Sequence, residues 1–292
     1  MQGTIPSEGM GRVSIVRHNE LVSQPTRSVT PFGAVLRLAR TTRGLSQLAL
    51  SSAAGTSSRH VSFLETGRSR PSREMVERIS EALRLPLRER NRLHVAAGLA
   101  PAYPNEVLDS AELAVFQSVI DRLLASHGPY PAYVVDGHWN IVRANPAASA
   151  LLPSDGERNL VRLTFAGAWR NLITNWDDLA WPAVERLQAD AARFPSDEVL
   201  ASLVVLAVTQ ARGARQSGAG SSERVLCPIF RLGDETVRMV SVVAQFGSPR
   251  DVTLEELRIE LFYPADVAAD EYFHRVAALR SASAARATTH SA

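Results

Sequence analysis

In the stretch QLALSSAAGTSSRHVSFLETG, Gln47 to Gly67, the side chains able to make specific polar contacts gather on one helical face. At about 100° per residue, Ser58, Arg59, Ser62 and Phe63 fall on one side of a helix, and Ser57, Val61 and Leu64 fall on the other. An arginine fork matches the two acceptors of a guanine edge, and an outward aromatic suits the thymine methyl. His60 stands at the border of that face, within reach of a phosphate. Gln47 opens the preceding helix, whose free N–H groups also suit a phosphate. Arg43, Arg68 and Arg70 flank the unit as backbone contacts. The candidate DNA-contacting set is therefore Arg43, Gln47, Ser57, Ser58, Arg59, His60, Ser62, Phe63, Arg68 and Arg70.

Other reactive residues make weaker constellations. His138 with Asp177 and Asp178 invites a metal or acid–base reading, but no second His or Cys has ligand spacing near His138. Asp177 and Asp178 precede a helix, where acids complement the dipole. The chain has a single cysteine, Cys227, which excludes a disulfide framework or a cysteine-built zinc site. Nucleophile elbow, phosphate loop and dinucleotide fingerprint are all missing from the sequence. These observations favour a non-enzymatic protein without metal or cofactor.

The charges are divided unevenly. The net charge is +2, and every one of the 32 basic residues is arginine. Residues 32–100 carry twelve arginines against five acids, whereas 101–276 carry fifteen against twenty-three. A basic block joined to an acidic body points to a polyanion partner for the block alone. With 45% apolar and 21% charged residues in 292, most of the chain folds, and the length suggests two domains. No apolar run reaches the roughly 18 residues of a membrane helix, and the N-terminus lacks a signal-peptide core. A cytoplasmic protein without membrane contact is expected.

Certain elements must position these residues. Residues 1–31 read as a flexible arm and 32–98 as five short helices, with Ser46, Thr56 or Ser57, and Ser72 as caps and Gly55, Gly67 and Gly98 as stops. Helix, glycine turn and helix within Gln47–Gly67 form a helix-turn-helix. Residues 99–109 are a proline-bearing linker. Within 110–276, a helix to Ser126 precedes a hairpin, with Tyr133–Val135 and Trp139–Ala144 joined by an Asp136-Gly137 turn. Helices at about 176–193 and 196–211 follow, then the loop GARQSGAGSS and strands at Arg224–Leu232, Thr236–Gln245 and Leu257–Tyr263. This order predicts an α+β PAS-like domain: a five-stranded antiparallel sheet with helices on one face. The tail, 277–292, is rich in Ala, Ser and Thr and expected to be disordered.

Residues 32–98 resemble lambda-repressor-like, XRE-type helix-turn-helix domains. The segment SFLETGRSRPSREMVERISEALRLPLRERNRLHVAAGLAP is similar to that of the MmyB-like transcription regulators. YPAYVVDGHWNIVRAN, NLITNW and FGSPRDVTLEELRIELFYPAD extend the likeness through the second half, to about 245 residues in all. By position, the resemblance implies a phosphate contact at Gln47 and base-facing roles for Ser58, Arg59, Ser62 and Phe63. Ser51 departs from it, standing where such motifs usually carry alanine against the recognition helix.

The resemblance also implies a C-terminal domain that takes a small lipophilic ligand, of which a fatty acid is the known type. All four tryptophans lie in that half. Trp139, Trp169 and Trp176 are candidates for apolar walls, and Arg143, Arg170 and Asn171 for polar anchors. The leading expectation is a homodimeric, ligand-responsive transcription regulator on an inverted-repeat operator. The alternative is a PAS-type cofactor sensor, or a small-molecule-transforming enzyme, with an accessory DNA-binding domain.

Overall fold

The computed structural model describes residues 30–214 and 227–289. The expected N-terminal arm, up to residue 29, and most of the GARQSGAGSS loop lie outside the described residues. Five helices come first: α1 (Pro31–Thr42), α2 (Gln47–Ala53), α3 (Ser58–Glu65), α4 (Arg73–Ala82) and α5 (Leu87–Ala96). Hydroxyl caps set four of their starts. Thr30, Ser46, Ser57 and Ser72 each accept from the backbone N–H three residues on, at 3.0–3.2 Å. Gly55 turns the chain between α2 and α3 at φ +61°, a conformation that costs glycine nothing. Leu36, Leu50, Val61, Leu64, Val76 and Ile79 are fully buried between the helices. At Gly33 a Cβ would stand 2.4 Å from the Glu65 carbonyl oxygen, so only glycine lets α1 cross α3 this closely.

The connection from α5 is pinned rather than loose. The Asn91 side chain accepts from the N–H groups of Ala102 and Tyr103 and donates to the Tyr103 carbonyl. Further on, Glu106 N–H donates to Asp251 and Val252 N–H to the Pro104 carbonyl. A 3-10 turn at Ala111–Leu113 leads into α6 (Ala114–Ser126).

The second unit holds β1 (Ala132–Val135), β2 (Ile141–Ala144), α7 (Pro146–Ser149), α8 (Leu160–Phe165), α9 (Ala168–Leu172), α10 (Trp176–Arg193) and α11 (Glu198–Ala211). Next come β3 (Ile229–Leu232), β4 (Glu235–Ala244), α12 (Val252–Glu256), β5 (Arg258–Pro264) and α13 (Val267–Thr289). The strands form one antiparallel sheet in the order β2-β1-β5-β4-β3. The expected α+β architecture with five antiparallel strands is present.

Three details differ from the sequence reading. Helices cover both faces of the sheet, because β1 alternates Tyr133 and Val135 into one core with Ala132 and Val134 into another, the latter under α6 and α12. A strand apolar at every position demands cover on both sides. The hairpin turn spans residues 136–140, and Trp139 lies outside β2. The Asp136 carboxylate accepts from the N–H groups of His138 and Asn140, which holds Trp139 at φ +66°. Last, the tail expected to be disordered after Ala277 is helical to Thr289, consistent with alanine's helix propensity.

Candidate functional site

Val61 and Leu64 bury one face of α3, and Arg59 is exposed on the other. The guanidiniums of Arg59 and Arg68 lie over the Phe63 ring, 5.2 and 5.4 Å from its centroid. The half-buried aromatic thus becomes a platform for two cations. Ser58 and Ser62 are half-buried on the same helix, and Arg70 is exposed beyond it. Ser57 is exposed rather than turned inward, because its hydroxyl caps α3. His60 is half-buried with its Nε2 closed to solvent, so a phosphate contact from that atom requires the ring to turn.

Two expected phosphate-contacting side chains are engaged within the protein. Gln47 Nε2 donates to Glu65 Oε2 at 2.8 Å, and Arg40 donates to both oxygens of that carboxylate at 2.6 and 3.0 Å. Burial alone would raise the Glu65 carboxyl. The hydrogen bonds from Arg40 and Gln47, with the charges of Arg40 and Arg37, outweigh it and hold Glu65 below its ordinary value. The knot ties α1, α2 and α3 together. Arg43 donates to the Ala39 carbonyl and lines a groove with Ala192 and Arg193 of the second unit, so it sits between the two units. The Ser51 hydroxyl donates to the Leu48 carbonyl, which lets serine replace alanine in the packed α2–α3 contact.

The second unit holds a half-open cavity of about 90 Å3 between the sheet and α8–α10. Leu160, Val161 and Phe165 come from α8, Leu179 and Leu187 from α10, and Phe230 and Phe262 from the sheet. Trp139 and Trp169 line it. Trp176 instead packs edge-on against Phe165, outside the lining. The proposed polar anchors also lie elsewhere. Arg143 pairs with Asp109, Arg170 stacks over Trp176 at 4.1 Å, and Asn171 is exposed. The cavity's polar residues are Arg186, Ser241 and Glu260, with Thr164 on its wall.

Comparison with known families agrees with this geometry. Residues 31–93 match the family described as a helix-turn-helix domain, and residues 117–286 match the MmyB-like transcription regulator ligand binding domain. The chain belongs to the MmyB-like transcription regulators. No curated protein matches it significantly. No helix among the described residues is long and apolar enough to cross a membrane.

In this MmyB-like regulator the DNA-binding and ligand-binding units meet at the start of α5. Arg88 Nη1 donates to Asp197 Oδ2 at 2.7 Å, and its Nε forms an ion pair with Glu256 at 2.8 Å. The Arg88 guanidinium also lies 4.2 Å from the Phe194 ring centroid. Leu87 N–H donates to Glu255, and His138 Nε2 lies 2.9 Å from the same Asp197 oxygen. Burial pushes the Glu256 carboxyl up against the opposing pull of Arg88. At Asp197 burial acts upward too, but the Leu200 N–H, His138 and Arg88 together bring the carboxyl below its ordinary value.

The sequence reading missed Arg88, Arg186, Asp197 and Glu260. For Glu260 one signal was available: with Arg258 it puts two charged residues on one face of a strand otherwise apolar.

Proposed function

We propose that the protein regulates transcription by binding an operator through α3, and that a small apolar ligand in the C-terminal cavity adjusts that binding. The observation that carries the reading is the division of α3: Val61 and Leu64 fully buried, with Arg59 and Arg68 stacked on Phe63 on the other side. Ser58, Arg59, Ser62 and Phe63 face base edges in the major groove, while Arg68, Arg70 and the start of α2 meet phosphates. Two copies place their recognition helices in successive major grooves, about 34 Å apart, on an inverted repeat.

The cavity is the sensing site. Its walls are apolar and aromatic with few polar groups, as in small-molecule sites generally. An acyl chain, the ligand type the resemblance implies, would use the same walls. Trp139 lines the cavity, and its neighbour His138 contacts Asp197 in the junction with α5. A ligand that moves the 136–140 turn therefore biases how the two DNA-binding units are held. It can do so only through different affinities for the two arrangements. The protein acts without catalysis, as a homodimer in the cytoplasm.

The test is fluorescence anisotropy of the full-length protein on operators selected from random duplexes. A selected consensus with two half-sites, and an affinity altered by a cavity ligand, supports the reading. Binding of all duplexes alike would overturn it.

A further inference from the structure

We infer that a second binding site lies between the two units and takes a phosphate-bearing small molecule with a ring, of the nucleotide class. Arg43 after α1 and Arg84 after α4 line an open groove of about 430 Å3 with Arg193, the last residue of α10. Among the described residues no carboxylate lines this groove, and none of its three arginines has an ion-pair partner. Elsewhere the protein neutralises such cations. Arg88, in the junction of the same two units, has Asp197 and Glu256, and Arg40 has Glu65. Glu89, which attracts Arg43, is itself buried and pairs with Arg92.

The backbone at Arg84 is the second observation. Helices α1, α2, α3 and α5 are each followed by a glycine at positive φ: Gly44, Gly55, Gly67 and Gly98. The turn after α4 has the same form, with Arg84 N–H donating to the Glu81 carbonyl and Leu85 N–H to that of Ser80. There the left-handed residue is Arg84, at φ +48°. A side chain in that conformation carries a steric cost that glycine escapes. Strain of this kind points to a task for the side chain, which here lies on the groove.

Arginine forks match phosphate oxygens in pairs, and a phosphate brings more negative charge than a carboxylate. Arg43 spends one N–H on the Ala39 carbonyl at 3.2 Å and keeps its other donors. It is half-buried, and burial pulls its guanidinium below the ordinary value. Bringing Arg193 of one unit beside two arginines of the other opposes docking of the units unless an anion intervenes. A bound phosphate therefore bridges them. Leu45 and Leu83 give the groove an apolar part suited to a ring. Its volume is in the range of small-molecule sites, roughly 300–1,000 Å3, and exceeds what one inorganic phosphate fills.

The experiment is calorimetric titration of the full-length protein, free of DNA, with ADP, pyrophosphate, inorganic phosphate and adenosine at constant ionic strength. ADP is expected to bind most tightly, pyrophosphate next, and adenosine not measurably. Arg84→Gly and Arg193→Ala should each weaken ADP about tenfold, as for a lost charge-assisted contact. Arg84→Gly restores the usual turn residue, so its unfolding midpoint without ligand should equal or exceed that of the wild type. Arg59→Ala, on the face of α3, should leave ADP affinity unchanged. No binding of ADP or pyrophosphate by the wild type would overturn the site. So would equal ADP affinity in all variants, or a loss confined to Arg59→Ala, which would place the anion on the DNA-binding face. Loss in Arg84→Gly alone would confine the site to one unit and overturn the bridge. Pyrophosphate binding as tightly as ADP would overturn the ring. Each of these failures leaves operator binding through α3 standing.

Discussion

Arg88, on the first turn of α5, shares Asp197 with His138: the arginine donates to Asp197 Oδ2 at 2.7 Å and the imidazole Nε2 lies 2.9 Å from the same oxygen. One carboxylate therefore joins the helix-turn-helix unit to the turn that carries Trp139. Asp197 also caps α11, accepting from the Leu200 N–H at 3.0 Å. The two tasks can be separated, because asparagine keeps a cap and lacks the charge. Asp197→Asn should lower stability by about 1–2 kcal/mol. It should also shrink the effect of a cavity ligand on operator affinity while the selected consensus stays the same. Denaturant unfolding, with anisotropy in the presence and absence of ligand, measures both. An unchanged ligand effect in Asp197→Asn and in Arg88→Ala would remove this junction from the signalling route.

Arg59→Ala should cost about 1–3 kcal/mol on the preferred operator and relax the choice at one base pair, as expected for a lost base-edge contact. The substitution also takes one of the two cations from Phe63. Selection from random duplexes checks it: a consensus identical to that of the wild type would show that Arg59 does not enter the groove.

Gln47→Ala should behave differently. Losing its hydrogen bond to Glu65 should destabilise the fold by about 1 kcal/mol and weaken binding to all sequences similarly, since the start of α2 would be less well fixed. Unfolding curves and affinities for cognate and scrambled duplexes separate these effects. A change of consensus would contradict the assignment.

The Glu65 carboxyl is held below its ordinary value in the folded state. The unfolded chain, with a carboxyl pKa of about 4.3, therefore binds the proton more readily. The resulting stability is fully present above that pH and is lost as pH falls through the folded value. Urea unfolding across pH 3–7 should show the gap between wild type and Glu65→Gln narrowing toward acid. Near neutrality Glu65→Ala should cost about 3–5 kcal/mol, because Arg40 is left without its partner. A gap that is constant with pH would refute the role of this charge.

Operator affinity should fall steeply with salt, each neutralised phosphate adding roughly 0.9 to the slope of log affinity against log salt. Arg70→Ala should reduce the slope by about one such increment. Equal slopes for variant and wild type would exclude Arg70 from the backbone contacts.

The features legible in the sequence are those encoded within a turn or two of chain. Ser46, Ser57 and Ser72 announce helix starts because a hydroxyl serves a donor three residues on, and Gly55 announces the turn because only its own φ is at stake. The period of Val61 and Leu64 shows which face of α3 is buried, and hence which face carries Arg59. Such rules name the buried face but not its partner. Arg40 meets Glu65 because α1 crosses α3 closely at Gly33, and Arg88 meets Asp197 across more than a hundred residues because two domains dock. The strand period continues into Trp139 without a break, yet the Asp136 side chain takes the turn's N–H groups, and the indole lies against Arg186 and Arg258. Arg143, Arg170 and Asn171 have the chemistry of anchors, but the polar residues that line the cavity are Arg186, Ser241, Glu260 and Thr164. A side chain becomes part of a site through what surrounds it after packing, and those surroundings come from distant parts of the chain.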